Sequence, residues 1–167
     1  RTAQARPVPV QRCGSLQRGE PCDTYEDYGL GVRCIVHGGG FPDAMFPAVY
    51  NANMRILQSA GVVAITYELI HDTRIIPIDA APRQDRWSGN IRTYMGNARG
   101  HWEGTTLVVD VTNFHPGDST TIHPGSATRL ARNGAHLVER YTRTAGDAVR
   151  YEVTVDDPQT FERPWTA

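Results

Sequence analysis

The chain has 167 residues, 40% of them hydrophobic, and a formal net charge of −1, which together suit one globular domain with its own core. The near balance of 17 basic and 18 acidic residues argues against a nucleic-acid-binding surface, which needs a basic excess. No apolar run reaches the length of a membrane-spanning helix, about 18 residues. Every basic residue is Arg, so chemistry that needs a Lys amine is excluded.

Residues 1–44 are rich in Pro, Gly and charge, and they predict an irregular N-terminal arm. Cys13 and Cys22 flank turn-forming Gly and Pro residues, which is the spacing of a small disulfide loop. Cys34 is left over, either buried or paired with another chain or segment. No Cys-x-x-Cys occurs, so zinc-ribbon, thioredoxin-type and haem-attachment motifs are excluded. The disulfide loop and the start, which lacks Met and an apolar signal core, predict a mature exported protein, secreted or periplasmic.

The chain is predicted to turn to β structure from residue 45. Residues 54–58 and 61–70 form two predicted strands separated by a hairpin-length gap. Alternation over residues 62–72 puts Thr66, Glu68 and Asp72 on one face. The opposite, core-facing set is Val63, Ile65, Tyr67, Leu69 and His71. Residues 74–78 give a further strand, and residues 79–91 a long loop.

Residues 100–114 predict a strand, a tight turn at Glu103 and Gly104, and a second strand with Asp110 on its less apolar face. A second long loop covers residues 115–134, and residues 135–144 and 148–156 form a final hairpin. No segment shows the sustained hydrophobic periodicity of an α-helix. We therefore expect an all-β fold: a single antiparallel barrel or closed sandwich over residues 45–167, behind the arm.

The order of these segments resembles that of calycin-type up-and-down barrels. Four segments, at residues 70–77, 100–114, 136–140 and 157–166, are also similar to those of an uncharacterised family of secreted bacterial proteins. The longest reads Gly-His-Trp-Glu-Gly-Thr-Thr-Leu-Val-Val-Asp-Val-Thr-Asn-Phe. The resemblance implies export and an intact fold, and no activity. Similar proteins continue with a segment that bears Cys-His-Glu, which would offer a partner for Cys34.

Two short motifs match part of a known catalytic site, but the second motif that each site requires is missing. Residues 37–40, His-Gly-Gly-Gly, match the oxyanion loop of lipases, but there is no Gly-x-Ser-x-Gly nucleophile motif. His101 and Glu103 match the His-x-Glu of zinc deaminases, but the Pro-Cys-x-x-Cys is missing. The spacings of His101, His115, His123 and His136 fit no metal template, so neither a metal nor a cofactor is predicted.

Candidate catalytic residues are His71 and Asp72, with Arg74 two positions later. A His inside a barrel can act as a general base near neutral pH. The alternative is a buried structural His, with Asp72 and Arg74 an ordinary surface pair. His101 and Glu103 are the second catalytic candidates.

Residues near the middle of the chain's later strands form a second polar set. On residues 135–144, Leu137, Glu139 and Tyr141 share one face, and His136, Val138 and Arg140 the other, so both faces are mixed. The candidate ligand-binding residues, which we expect to surround a cavity, are Arg74, Asp110, His136, Glu139 and Arg140. The competing explanation is a buried Arg–carboxylate network, because buried charges must be paired.

Three functions fit this sequence. The first is a secreted small-molecule-binding barrel, or an enzyme of that kind with acid/base chemistry. The second is a structural subunit of an extracellular or periplasmic homo-oligomer, held by the arm and the C-terminal strand. A metal-dependent hydrolase ranks third. An open cavity lined by the inward polar residues would favour the first function. A filled interior, together with residues 1–44 lying on another subunit, would favour the second.

Overall fold

The computed structural model describes residues 53–68, 71–79, 91–93, 95–114 and 134–167. Within these ranges the chain forms strands and turns. The strands are β1 (Met54–Ser59), β2 (Val62–Tyr67), β3 (Thr73–Pro77), β4 (Asn97–Glu103), β5 (Thr106–Thr112), β6 (His136–Arg143), β7 (Val149–Asp156) and β8 (Trp165–Thr166). None of the described residues belongs to a helix long and apolar enough to span a bilayer. The predicted arm, residues 1–44, and its cysteines Cys13 and Cys22 lie outside these ranges.

The strands form two antiparallel sheets in which chain neighbours are also sheet neighbours. One sheet has the order β1-β2-β3, and the other β4-β5-β6-β7-β8. The sheets meet at one parallel bridge between Ile78 and Gly100, where the Asp79 N–H donates to the Gly100 carbonyl at 3.0 Å. The all-β antiparallel prediction is confirmed. The sheets do not close into a barrel, so the barrel alternative is wrong and the fold is a sandwich.

The turn after β2 corrects the predicted strand over residues 61–70. Strand β2 ends at Tyr67, whose N–H donates to the Asp72 carbonyl at 2.9 Å to close the turn. His71 has a left-handed φ of 59° there and is exposed. The odd-numbered residues face inward on β2, whereas the even-numbered residues face inward on β3. Arg74 therefore points inward and His71 does not. The prediction that His71 faces the core is wrong. Leu69 lies outside the described residues.

The core lies between the inner faces of the two sheets. The three-stranded sheet contributes Val63, Ile65, Tyr67 and Ile76. The five-stranded sheet contributes Leu107, Val109, Val111, Leu137, Tyr141, Val153 and Val155. Phe161 and Trp165 pack against this cluster, with their rings edge to face at 5.7 Å. Burial of these apolar side chains supplies the main driving force that holds the sheets face to face.

At Gly100 the two sheets come into close contact. A Cβ at this position would lie 2.6 Å from Ile78 Cδ1 and 3.0 Å from Ile76 Cγ2, so either neighbour would have to shift. Glycine lets β4 lie against the end of β3 without that rearrangement.

We predict that Gly100→Ala destabilises the fold by about 1–3 kcal/mol, because the added methyl overpacks the junction. Urea unfolding followed by tryptophan fluorescence measures the change. Gly146→Ala is the matched control, since a Cβ there meets nothing within 4 Å. Equal stability of the two variants would contradict the packing described for Gly100.

Candidate functional site

A buried ion pair joins the two sheets. Glu139 lies on the inner face of β6, between Val109 and Val153 on the neighbouring strands, and is 0% exposed. Arg74 reaches it from β3 and is 4% exposed. The Arg74 Nη1 and Nη2 atoms donate to the two carboxylate oxygens of Glu139 at 3.0 and 2.5 Å. This is a bidentate pairing of a planar cation with a carboxylate, removed from solvent.

Three tyrosine hydroxyls form further hydrogen bonds with this pair. Those of Tyr141 and Tyr151 donate to Glu139 Oε1 at 2.9 and 3.0 Å, and that of Tyr67 accepts from Arg74 Nη1 at 3.2 Å. The rings of Tyr141 and Tyr151 lie 4.9 Å apart. These five residues form the buried network. Side chains fill the space around Glu139. This arrangement is the buried Arg–carboxylate network that the sequence offered as the alternative to a ligand cavity.

The network keeps its charges paired and its phenols neutral. Burial and the Glu139 carboxylate raise the pKa of Tyr151 and of Tyr141 above its ordinary value, and burial does the same for Tyr67. Burial has the largest effect on the pKa of the Arg74 guanidinium and lowers it, but Glu139, Tyr67 and Tyr141 together raise it, so the pKa lies well above its ordinary value. Arg74 is therefore a permanent cation.

A cleft of about 450 Å³ opens beside the network, where β3 and β4 separate on the N-terminal side of their bridge. This volume lies within the range of small-molecule sites, roughly 300–1,000 Å³. The lining residues are Asp72, Thr73, Arg74, Ile75, Ile91, Thr93, Met95, Gly96, Asn97 and Ala98. They combine apolar walls with a few polar groups, which is the composition of a ligand site.

Arg74 belongs to both the buried network and the cleft wall. Its two terminal nitrogens are used by Glu139 and Tyr67, whereas its buried Nε–H has no hydrogen-bond partner among the described residues. Other polar groups of the cleft are partly engaged. Asp72 Oδ1 accepts from the Thr73 N–H at 2.8 Å, and the Thr93 hydroxyl donates to the Gly96 carbonyl at 2.7 Å.

Five of the sequence-predicted residues lie on the outer face of the five-stranded sheet instead. Glu103 pairs with Arg140 at 2.5 Å and with His101 at 3.2 Å, and these hydrogen bonds, that from Arg140 first, lower the pKa of its carboxyl. On the same face His136 Nε2 lies 3.0 Å from Asp110 Oδ1, with both side chains well exposed. These are surface pairs with small effects on stability.

The structure therefore divides the predicted site residues among three places. Asp72 and Arg74 line the cleft, with His71 on the exposed turn beside it. Glu139 lies in the interior. The third group, on the outer face, is His101, Glu103, Asp110, His136 and Arg140. The candidate binding residues do not line one cavity, because Glu139 faces inward while His136 and Arg140 on the same strand face outward.

Sequence reasoning missed the tyrosines and the β4 side of the cleft. Tyr141 follows Glu139 by two positions, and Tyr151 lies opposite Tyr141 on the neighbouring strand. A correct alignment of β6 with β7 would therefore have predicted the cluster. Ile91 lies in the predicted loop over residues 79–91, and Thr93 and Met95 lie in a stretch for which the sequence predicted no element. In the part of the chain that the structure describes, no three His, Cys, Asp or Glu side chains converge to hold a metal ion. His115 and His123 lie outside that part.

Comparison with models of protein families, with curated proteins and with solved structures finds no match for this chain. The resemblance to secreted bacterial proteins therefore stays a prediction from the four sequence segments.

We predict that Glu139→Gln destabilises the protein by about 3–5 kcal/mol, because it leaves the Arg74 cation buried without its partner. Chemical denaturation measures the loss. Asp110→Asn, which alters an exposed carboxylate on the neighbouring strand, is the matched control and should leave the midpoint unchanged. A loss below about 1 kcal/mol for Glu139→Gln would mean that the pair is hydrated in solution.

We predict that three of the seven tyrosines ionise only when the protein unfolds. The pKa of Tyr67, Tyr141 and Tyr151 is raised in the folded state above the ordinary value of 10.0. The stability that neutral phenols contribute is therefore complete below about pH 10 and is lost as the pH rises above it. Absorbance at 295 nm should show a cooperative step that coincides with unfolding.

In the same titration, Tyr151→Phe should reduce the cooperative step by one phenolate. Reversible, non-cooperative ionisation of all tyrosines with the fold intact would contradict the burial of these hydroxyls.

Proposed function

We propose that this protein binds a small molecule in the cleft between β3 and β4. The observation that carries the proposal is a cavity of ligand size whose wall combines apolar side chains with a few polar groups. The Asp72 carboxylate and the Thr93 hydroxyl offer polar contacts to one part of the ligand. Ile75, Ile91 and Met95 supply apolar surface for the rest of the molecule.

The proposal is for binding, and catalysis is a narrower extension of it. Of the four predicted catalytic residues, Asp72 lines the cleft and His71 lies next to it in the chain. An acid/base reaction would have to use these two residues, because His101 and Glu103 pair with Arg140 away from the cleft. Export remains part of the proposal, supported by the spacing of Cys13 and Cys22 and by the family resemblance.

We predict that fragments in a protein-observed NMR screen bind the cleft and shift the methyl signals of Ile75 and Met95. Ile91→Trp should abolish these shifts by filling the cleft, with little change in stability because Ile91 is 46% exposed. Val149→Trp, at an exposed position away from the cleft lining, is the control and should bind normally. Binding that survives Ile91→Trp, or a screen without any shift at these methyls, would contradict the proposal.

A second candidate function, a subunit of a homo-oligomer, is favoured by strand β1. All six of its residues are exposed, and one of its edges has no partner strand among the described residues. Leu57 and Ile75 share the outer face across Ala64 and are 54% and 60% exposed. Unprotected apolar edge strands readily pair with another chain. Antiparallel pairing of two β1 strands about Leu57 would join the apolar patches and set Arg55 opposite Ser59 of the second copy.

If β1 forms this interface, the protein is a dimer by light scattering, and Leu57→Lys makes it a monomer because the charges would meet at the two-fold axis. Val149→Lys, at an exposed site of similar chemistry on β7, should stay a dimer. A wild-type monomer over the micromolar range would reject this candidate and leave the binding proposal intact.

A further inference from the structure

We propose that the cleft takes a short, extended peptide that pairs with the free edge of β3 at Ile75 and places a basic side chain beside Asp72. This proposal rests on the proposed function, since it names the class of ligand for the same site. It follows from three features of the cleft: a strand edge with unused backbone groups, the groups that keep this edge short, and an acidic side chain at one end.

The backbone N–H and C=O of Ile75 point toward the cleft. In an antiparallel pair, alternate residues exchange both backbone hydrogen bonds with the partner strand, and the residues between them point the other way. The Ile78 N–H donates to the Gly61 carbonyl at 2.9 Å, so the even-numbered residues of β3 bond to β2. The odd-numbered Asp79 donates instead to the Gly100 carbonyl of β4 at 3.0 Å. The odd-numbered Ile75 therefore faces the side on which β4 and the cleft lie.

These two groups of Ile75 are open to a ligand. No described strand pairs with β3 at Ile75, because the bridge to β4 lies beyond it at Ile78. Ile75 is also 60% exposed. An added strand satisfies the free donors and acceptors of such an edge, and this is a recurring mode of peptide recognition.

Neighbouring groups keep the pairable edge short. Pro77 has no N–H, and the Thr73 N–H already donates to Asp72 Oδ1 at 2.8 Å. Ile75 is therefore the one residue of β3 that offers both backbone groups to this side. At the rise of a β-strand the edge receives about three to five residues, which favours a short peptide over a strand of a second copy.

The charge of the cleft favours a basic side chain on the peptide. Arg74 contributes no net charge, because the buried Glu139 carboxylate neutralises it. Asp72 is the other ionisable residue of the lining, and it is half-buried. Its Oδ1 accepts from the Thr73 N–H, which leaves Oδ2 for the ligand. A peptide residue opposite Thr73 lies beside this carboxylate, where Lys or Arg is complementary and Glu is repelled.

Two capped tetrapeptides test the ligand class: acetyl-Thr-Val-Leu-Lys-amide and the same peptide ending in Glu. The proton–nitrogen NMR signal of the Ile75 backbone amide reports pairing, and the methyl signal of Met95 reports occupancy of the cleft. We expect the Lys peptide to move both signals and to bind about tenfold more tightly than the Glu peptide.

Methylation of single peptide nitrogens tests the main-chain pairing. In the antiparallel arrangement Val lies opposite Ile75 and Lys opposite Thr73, so the Val N–H donates to the Ile75 carbonyl and the Leu N–H points away. We expect N-methylation of Val to weaken binding about fivefold, and that of Leu to weaken it less than about twofold. Tolerance of both methylations, or a larger loss at Leu than at Val, would overturn the pairing and leave the proposed function standing.

Asp72→Asn tests the charge contact, because Asn can keep the contact with the Thr73 N–H while it removes the charge. It should reduce the preference for the Lys peptide to about twofold. Asp110→Asn, at an exposed carboxylate on the outer face of the larger sheet, is the matched control and should leave the preference unchanged. An unchanged preference in Asp72→Asn would overturn the choice of a basic side chain.

The remaining outcomes separate the ligand class from the site. If fragments move the Met95 methyl signal but neither peptide does, the peptide class is wrong and the proposed function stands. If neither fragments nor peptides move it, the proposed function fails and this proposal fails with it. Movement of the Ile75 amide signal with protein concentration, in the absence of peptide, would show that a second copy pairs with the edge and would overturn the proposal.

Discussion

The pairing of Arg74 with Glu139 is the interaction on which the rest of this sandwich depends. A carboxylate at the centre of the larger sheet's inner face is tolerated only because a guanidinium from the smaller sheet and two tyrosine hydroxyls satisfy it. The pair adds little net stability over an apolar alternative, but it fixes which residues of the sheets face each other. The polar pair, as well as apolar burial, therefore determines strand register and which face of each strand points inward.

The same pair determines what the cleft can recognise. Because Glu139 and Tyr67 hold the end of the Arg74 guanidinium in the interior, the cation gives the cleft no net positive charge. The close contact at Gly100 joins β3 to β4 at one end, and the strands separate toward their N-termini. The cleft is thus a consequence of how the sheets are joined.

The sequence predicts the strands well and the site only in part. Alternation placed Val63 and Ile65 in the core and put Asp110 on the less apolar face of its strand, because period-two burial is a local signal. It failed at His71, where the turn between β2 and β3 reverses the parity. The partnership of Arg74 with Glu139 spans 65 positions and two sheets, so no local pattern could show it. The cleft depends on how β3 and β4 separate, and the alternation of apolar and polar residues cannot predict that separation either.

The central claim is that Arg74 and Glu139 act as one unit. A double-mutant cycle with Arg74→Met and Glu139→Leu, followed by urea unfolding, tests it most directly. We predict that the double variant is more stable than either single variant, with a coupling energy of about 2–3 kcal/mol, because each single change leaves one buried charge unpaired. Additive losses in the cycle would show that the two side chains are independent and would contradict this account of the fold.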